Sequence, residues 1–341
     1  MSRPLLLATL VAGVLFATPH SQAQQPYHVV DHWTIGGQGG WDYLLDDPGA
    51  HRLYVTHGTR VEVLDTNTGK VVASMDGFKG LHGVALDPDG KTGYVSDGGS
   101  NAVVVFDRTT NTKLDTIPTG GVNPDGITYE PVTKTVWAFN GRSNSVTVIS
   151  TVTRKVVFTT ALPGKPEFPV ADGHGNVFDN IEDQSEITRL DAHTGKVTGV
   201  WKLDGCDSPS GLAIDRKHMR LFSVCDNKVM AITDARTGKQ LGKATIGNGP
   251  DAAGFDPARN LAFSSNGDGT LTIVNAASNS FPVLETVPTK RGARTMTLDP
   301  AADRVFLVTT DFGPPPAPTA DRPHPRPAAV PNSFSVLVVG R

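Results

Sequence analysis

Residues 84–117 consist of four short runs rich in β-branched side chains, separated by gaps of Gly, Asp, Asn and Thr. That pattern predicts a four-stranded antiparallel meander. It returns along the chain. An acidic residue, in most cases followed by Pro, recurs at Asp47, Asp87, Glu130, Asp172, Asp215, Asp256 and Asp299, at spacings of 40, 43, 42, 43, 41 and 43 residues. A second marker closes each third strand at Asp65, Asp107, Ser150, Asp191, Asp234 and Asn275, spaced by 42, 43, 41, 43 and 41. The two markers keep step. A four-strand unit with a period in the low forties is a propeller blade, and the chain holds seven such units. A single ordinary core stops growing near ~250–300 residues; radial repetition lets 341 residues fold without one.

The seventh unit is one strand short. Its strands are expected near 294–299, 304–309 and 333–339, where the chain ends. Residues 28–35 resemble the fourth-strand stretch 112–117. The N-terminal strand should therefore complete the last blade, close the ring and remove an exposed edge. The expectation is all-β: a seven-bladed β-propeller of four-stranded antiparallel blades, with 24–341 as one domain. AspThrAsnThrGlyLys at 65–70 and its counterparts at 191–196 and 234–239 fit the hairpins. Asp makes a local turn bond and Gly takes the left-handed conformation. They are not phosphate loops, since the P-loop pattern is absent.

TyrValThrHis at 54–57 and TyrValSerAsp at 94–97 resemble the signature of the YVTN-type β-propeller repeat family. The resemblance runs in register over essentially the whole mature chain. Later units depart from it, with TrpAlaPheAsn at 137–140, PheSerValCys at 222–225 and PheSerSerAsn at 263–266. The resemblance implies an exported bacterial-type propeller and little about chemistry.

The N-terminus agrees with export. Arg3, a thirteen-residue apolar run from Leu5 to Ala17, and Ser21-Gln22-Ala23 read as a signal peptide over 1–23. The run is too short to span a bilayer. The expected location is periplasmic or secreted. The formal net charge of −3, or −4 without Arg3, argues against broad nucleic-acid binding. Cys206 and Cys225 are the two cysteines, and in an oxidising compartment they read as a disulfide, with a thiolate metal ligand as the rival.

In a propeller the start of each first strand and the end of each second strand converge on one channel mouth. Five residues before each acidic marker lie Asp42, His82, Asp125, Glu167, Ser210, Asp251 and Arg294. The second-strand ends give His57, Asp97, Asn140, Asn180, Cys225, Asn266 and Thr309; the shorter hairpin of the fourth unit makes Asn180 the entrant there. Polar residues in a wet channel also serve loops. A purely structural repeat, however, would place the same residue in every blade, and the first ring holds three Asp, one Glu, one His, one Ser and one Arg. Divergence at equivalent positions is what an asymmetric ligand site requires, and a pocket with convergent polar groups is the default site.

The first ring carries a formal charge of −3. Two carboxylates ~10 Å apart at a dielectric of ~20 repel by ~1.7 kcal/mol, which favours a raised pKa or a bound cation. His57 and His82, with Asp42, are plausible ligands of a divalent metal ion, the one cofactor the residues point to. Glu167 lies between prolines beside Phe168, where apolar neighbours raise its pKa towards a general acid's range. Arg294 either clamps a substrate oxyanion or pairs with the ring's own acids. Residues 313–332 hold eight prolines with Arg322, His324 and Arg326, an insertion that reads as a lid or as a tolerated surface loop. The main reading is a monomeric binding or scaffold propeller for a small polar or cationic ligand. Its rivals are a metal-assisted or acid–base hydrolase or lyase at the same mouth, and a rim platform for a protein or single-stranded nucleic acid.

Overall fold

A computed structural model describes residues 25–317 and 327–341. The signal peptide reading and Arg322, His324 and Arg326 of the insertion lie outside the described residues. Seven four-stranded antiparallel sheets form, each a blade. Blade 2, for example, runs Leu81–Leu86, Thr92–Asp97, Ala102–Asp107 and Thr112–Pro118. The only helical segments among the described residues are the short 3-10 turns Gly98–Ser100 and Glu182–Gln184. None is long and apolar enough to cross a membrane.

The ring closes as the missing strand requires. Blade 7 contains Thr295–Asp299, Arg304–Thr309 and Ser335–Gly340, and His28–Thr34 pairs with the last of these, from His28 opposite Gly340 to Thr34 opposite Ser335. Tyr27, just before that strand, is buried, and its hydroxyl donates to Asp303 Oδ1 at 2.5 Å. The 313–332 insertion starts as an extension of the blade 7 hairpin: Gly313 N donates to Ala328 O at 2.9 Å and Val330 N to Asp311 O at 2.8 Å.

The TyrValThrHis and TyrValSerAsp stretches now have a physical meaning. Tyr54 and Val55, like Tyr94 and Val95, are buried between blades. The hydroxyl that follows is a staple. Thr56 Oγ1 donates to Tyr43 O at 2.8 Å in its own blade and to His82 O at 3.0 Å in the next. Ser96 Oγ reaches Asp125 O at 2.6 Å, and Ser265 Oγ bonds Arg294 O. Asn180 performs the same task in blade 4, donating to Ser210 O at 2.8 Å and Gly211 O at 3.1 Å. Each staple holds the backbone of a first-ring residue of the neighbouring blade. The hairpin glycines lock blades elsewhere: a Cβ on Gly69 would meet Trp33 at 2.4 Å, and one on Gly238 would meet Trp201 at 2.3 Å. In both cases an aromatic from the preceding blade's fourth strand covers the turn.

Candidate functional site

The first-ring residues occupy the second position of their strands, as in Trp41–Asp47, Leu81–Leu86 and Pro124–Glu130, except Arg294, which precedes Thr295–Asp299. In the first six blades the register slips there: Trp41 pairs with His57 while Leu44 pairs with Val55, and the other five behave alike. These are β-bulges, which bend a strand and re-aim its side chains. The residue after the ring position is Gly83, Gly126 or Gly211 in three of these blades, and it has no room for more. A Cβ on Gly126 would lie 2.3 Å from Glu167 O.

Blades 1 and 4 carry Tyr43 and Phe168 at that same place. Their rings meet edge to face at 4.9 Å although blades 2 and 3 stand between them in the ring. The pair therefore crosses the channel and floors the mouth. Below it a cavity of about 490 Å³ is lined by the two rings and by apolar side chains such as Leu44, Val84, Ile127 and Val170. Sequence reasoning missed this floor. The signal was present: an aromatic in two units where three others have Gly.

Above the floor, three ring residues converge. His82 Nδ1 lies 2.6 Å from Asp42 Oδ2 and 3.3 Å from Asp125 Oδ1. One donor atom from each of the three lies within 4.8 Å of the other two. Asn123, which the sequence reading did not single out, donates from Nδ2 to Asp125 Oδ2 at 3.4 Å. Burial alone would lower the His82 pKa, but the bond to Asp42 and the charges of Asp125 and Asp42 hold it up to about 9. Burial pushes Asp125 up to about 6, the His82 charge opposing and the Asp42 charge assisting.

Glu167 sits beside this trio. Burial, reinforced by the Asp125 charge, pushes its carboxyl up to about 8 even though Lys165 Nζ is 3.2 Å away. Lys165 also pairs with Glu182, a second neighbour the sequence did not announce. Behind the ring, Asp179 is fully buried with neither oxygen bonded. Burial and the charges of Glu167 and Asp125 drive it well above the usual carboxylate range. On the other side, Arg294 Nε pairs with Asp251 Oδ2 at 3.0 Å. Burial still pushes Asp251 up to about 7 against the pull of Arg294. Ser210 is buried and donates to Pro250 O at 3.0 Å.

The second-strand ends do not join this mouth. Asp97 accepts from Lys79 N, Gly80 N and Ser100 Oγ at 3.0, 2.9 and 2.7 Å. Asn140 donates to Ser145 and Thr147, and Asn266 to Thr270 and Thr272, all within their own blades. The true counterpart in blade 4 is Ile181, which pairs with Pro166 as Asn140 pairs with Pro124. Asn180 is one residue out of that register and serves as the staple described above. Cys225 is joined to Cys206, with Cα atoms 5.4 Å apart. His57, expected as a metal ligand, is not part of the Asp42–His82–Asp125 group. Its ring stacks on Phe334 at 3.9 Å and is almost fully buried, and that burial, with Arg60 nearby, lowers its pKa to about 4. The one-residue alternation of a strand separates the two rings: Trp41, not Asp42, faces His57 in the ladder.

Comparison with known proteins supports the architecture. A family model described as Lactonase, 7-bladed beta-propeller matches residues 55–160, less than half of the chain. No curated protein sequence matches. Among solved structures, U3-55K superposes with a TM-score of 0.76 at 11% identity, covering 92% of this chain and 99% of that one. The RRP9 WD40 repeats give 0.75 at 10% identity with the same coverage, and the structure titled Mitotic Checkpoint Complex gives 0.74 at 13%, covering 99% of each chain. The chain is a seven-bladed β-propeller. At these identities the likeness concerns the fold alone.

Proposed function

We propose that this chain is an exported binding propeller of the YVTN type whose mouth holds a divalent transition-metal ion through Asp42, His82 and Asp125 and offers it to a small polar ligand. One observation carries this reading. Three successive blades bring an imidazole and two carboxylates to within 4.8 Å of one another, on bulged and stapled backbone. Imidazole with carboxylates suits a borderline divalent ion. A cation there also offsets the burial and the mutual repulsion that push Asp125, Glu167 and Asp251 up. The signal-peptide reading of 1–23 and the disulfide support export, and in this reading the domain acts as a monomer.

Calorimetric titration of chelator-treated protein with Zn²⁺ and Mn²⁺ tests the site. One ion per chain should bind, and binding should expel the proton that His82 holds up to about 9. Affinity should therefore climb with pH towards that value. His82→Ala and Asp125→Asn should each abolish the heat; retention of binding in either contradicts the reading.

A second reading has its own support. Glu167, held up to about 8, keeps its proton at neutral pH, as a general acid must, and the partial family match carries the name lactonase. In that reading water adds to the carbonyl of a cyclic ester and gives its proton to solvent, Arg294 stabilises the oxyanion, and Glu167 protonates the ring oxygen as the C–O bond breaks. A pH-stat assay over a panel of lactones should detect ring opening that Glu167→Gln eliminates. Hydrolysis that survives that substitution removes Glu167 from the chemistry.

A further inference from the structure

The mouth is acidic on the side of blades 1–4 and cationic on the side of blade 7. Between blades 6, 7 and 1, adjoining the ring at Arg294, lies a second cavity of about 520 Å³. That is within the ~300–1,000 Å³ range of small-molecule sites. Trp41 and Phe312 wall it, their ring centroids 6.3 Å apart, and Arg291 and Arg294 are its charged lining residues. Both arginines are exposed. Arg294 uses Nε on Asp251, and among the described residues its terminal nitrogens donate to nothing. The Arg291 guanidinium lies 5.9 Å over the Phe312 ring. The indole N–H of Trp41 is buried without a partner among the described residues.

These groups select for one chemistry. Part of the lining is backbone, and two of its amides are spent: Gly267 N bonds Gly249 O at 2.8 Å and Gly292 N bonds Gly267 O at 2.9 Å. The charged donors left to a ligand are planar guanidinium edges, which match a planar carboxylate, with the Trp41 indole N–H as a neutral donor beside them. The walls are flat aromatic faces, which favour a flat ring. We propose that this pocket binds a small aromatic carboxylate, its carboxylate on Arg291 and Arg294 and its ring against the aromatic wall that Trp41 and Phe312 form together. The proposal goes beyond the metal reading and does not rest on it.

Gly40 supplies a clean test. It lines the cavity, has no left-handed backbone angle, and a Cβ there meets nothing within 4 Å. A leucine at this position would project into the cavity without strain. Benzoate titrated into EDTA-treated protein, followed by calorimetry, should show saturable binding to one site. Cyclohexanecarboxylate, which keeps the charge but not the flat ring, should bind at least fivefold more weakly, and benzyl alcohol, which keeps only the ring, at least tenfold. Arg291→Ala should weaken benzoate at least tenfold. Gly40→Leu should abolish binding with the thermal midpoint unchanged, and His82→Ala should leave benzoate affinity as it is. Absence of saturable benzoate binding, equal affinity in Gly40→Leu or Arg291→Ala, or its loss in His82→Ala overturns the proposal.

Discussion

Asp125 and Asn140 belong to one blade and one end of the molecule, and Pro124, beside Asp125, pairs with Asn140 in the ladder. Asn140 is fully buried and spends its amide on Ser145 and Thr147. Asp125 is only half-buried, meets His82 from the preceding blade and is pushed towards neutrality. The same contrast holds in blades 2 and 6, where Asp97 and Asn266 bond groups of their own blade while His82 and Asp251 meet charged partners from neighbouring blades. Polarity at equivalent positions does not distinguish these fates; the neighbours each side chain meets do, and His57, a second-strand end with neither ring nitrogen bonded among the described residues, is set apart by its stacking on Phe334.

The contrast can be broken by substitution. The largest effect should come from the staples. Asn180→Ala would strip partners from Ser210 O, Gly211 O and Ser223 Oγ in a buried setting, at a cost of about 3 kcal/mol. Urea denaturation measures that loss, and metal affinity should stay put. A change in metal affinity without a change in stability would put Asn180 in the site and erase the distinction.

Glu167→Gln should act in the opposite direction. Between pH 4.5 and about 8 the unfolded carboxyl is ionised while the folded one keeps its proton, so stability falls as pH rises through that window. Substitution should remove the Glu167 share of that slope in metal-free protein, leaving the shares of Asp125 and Asp251, and stabilise it at pH 8 by on the order of 2–3 kcal/mol. Urea midpoints from pH 5 to 9 report it; an unchanged slope would mean Glu167 is not buried as described.

His57 gives the smaller, mirror-image effect. Its folded pKa near 4 lies below the unfolded value near 6.5. Stability associated with it is present above pH 6.5 and lost as pH falls through about 4. His57→Gln should flatten the acid limb of the stability profile and leave the alkaline limb, set by the ring acids and His82, untouched. Movement of the alkaline limb instead would return His57 to the mouth.

The blades, the N-terminal closure and the disulfide were legible because each rests on a periodic or local signal: the acidic turns, the short seventh unit, the cysteine pair. The first ring was legible because it sits at a fixed offset from those turns. The second ring misled. Its residues share the same offset regularity, but a side chain's fate at a strand end depends on which neighbour it meets, and Asn180 shows how a one-residue hairpin difference changes that neighbour. Asn123 and Lys165 stand two residues before Asp125 and Glu167 and were readable by proximity, whereas Asp179 and Glu182 had no periodic signal and only the folded chain brings them beside Glu167 and Lys165. Tyr43 and Phe168 were readable in principle, as departures from Gly.

Elemental analysis of protein purified without chelator tests the central claim most directly. One divalent metal ion per chain is expected in the wild type and in His57→Ala, and none in His82→Ala. A metal-free wild type, or an ion that persists in His82→Ala and leaves with His57, contradicts the account.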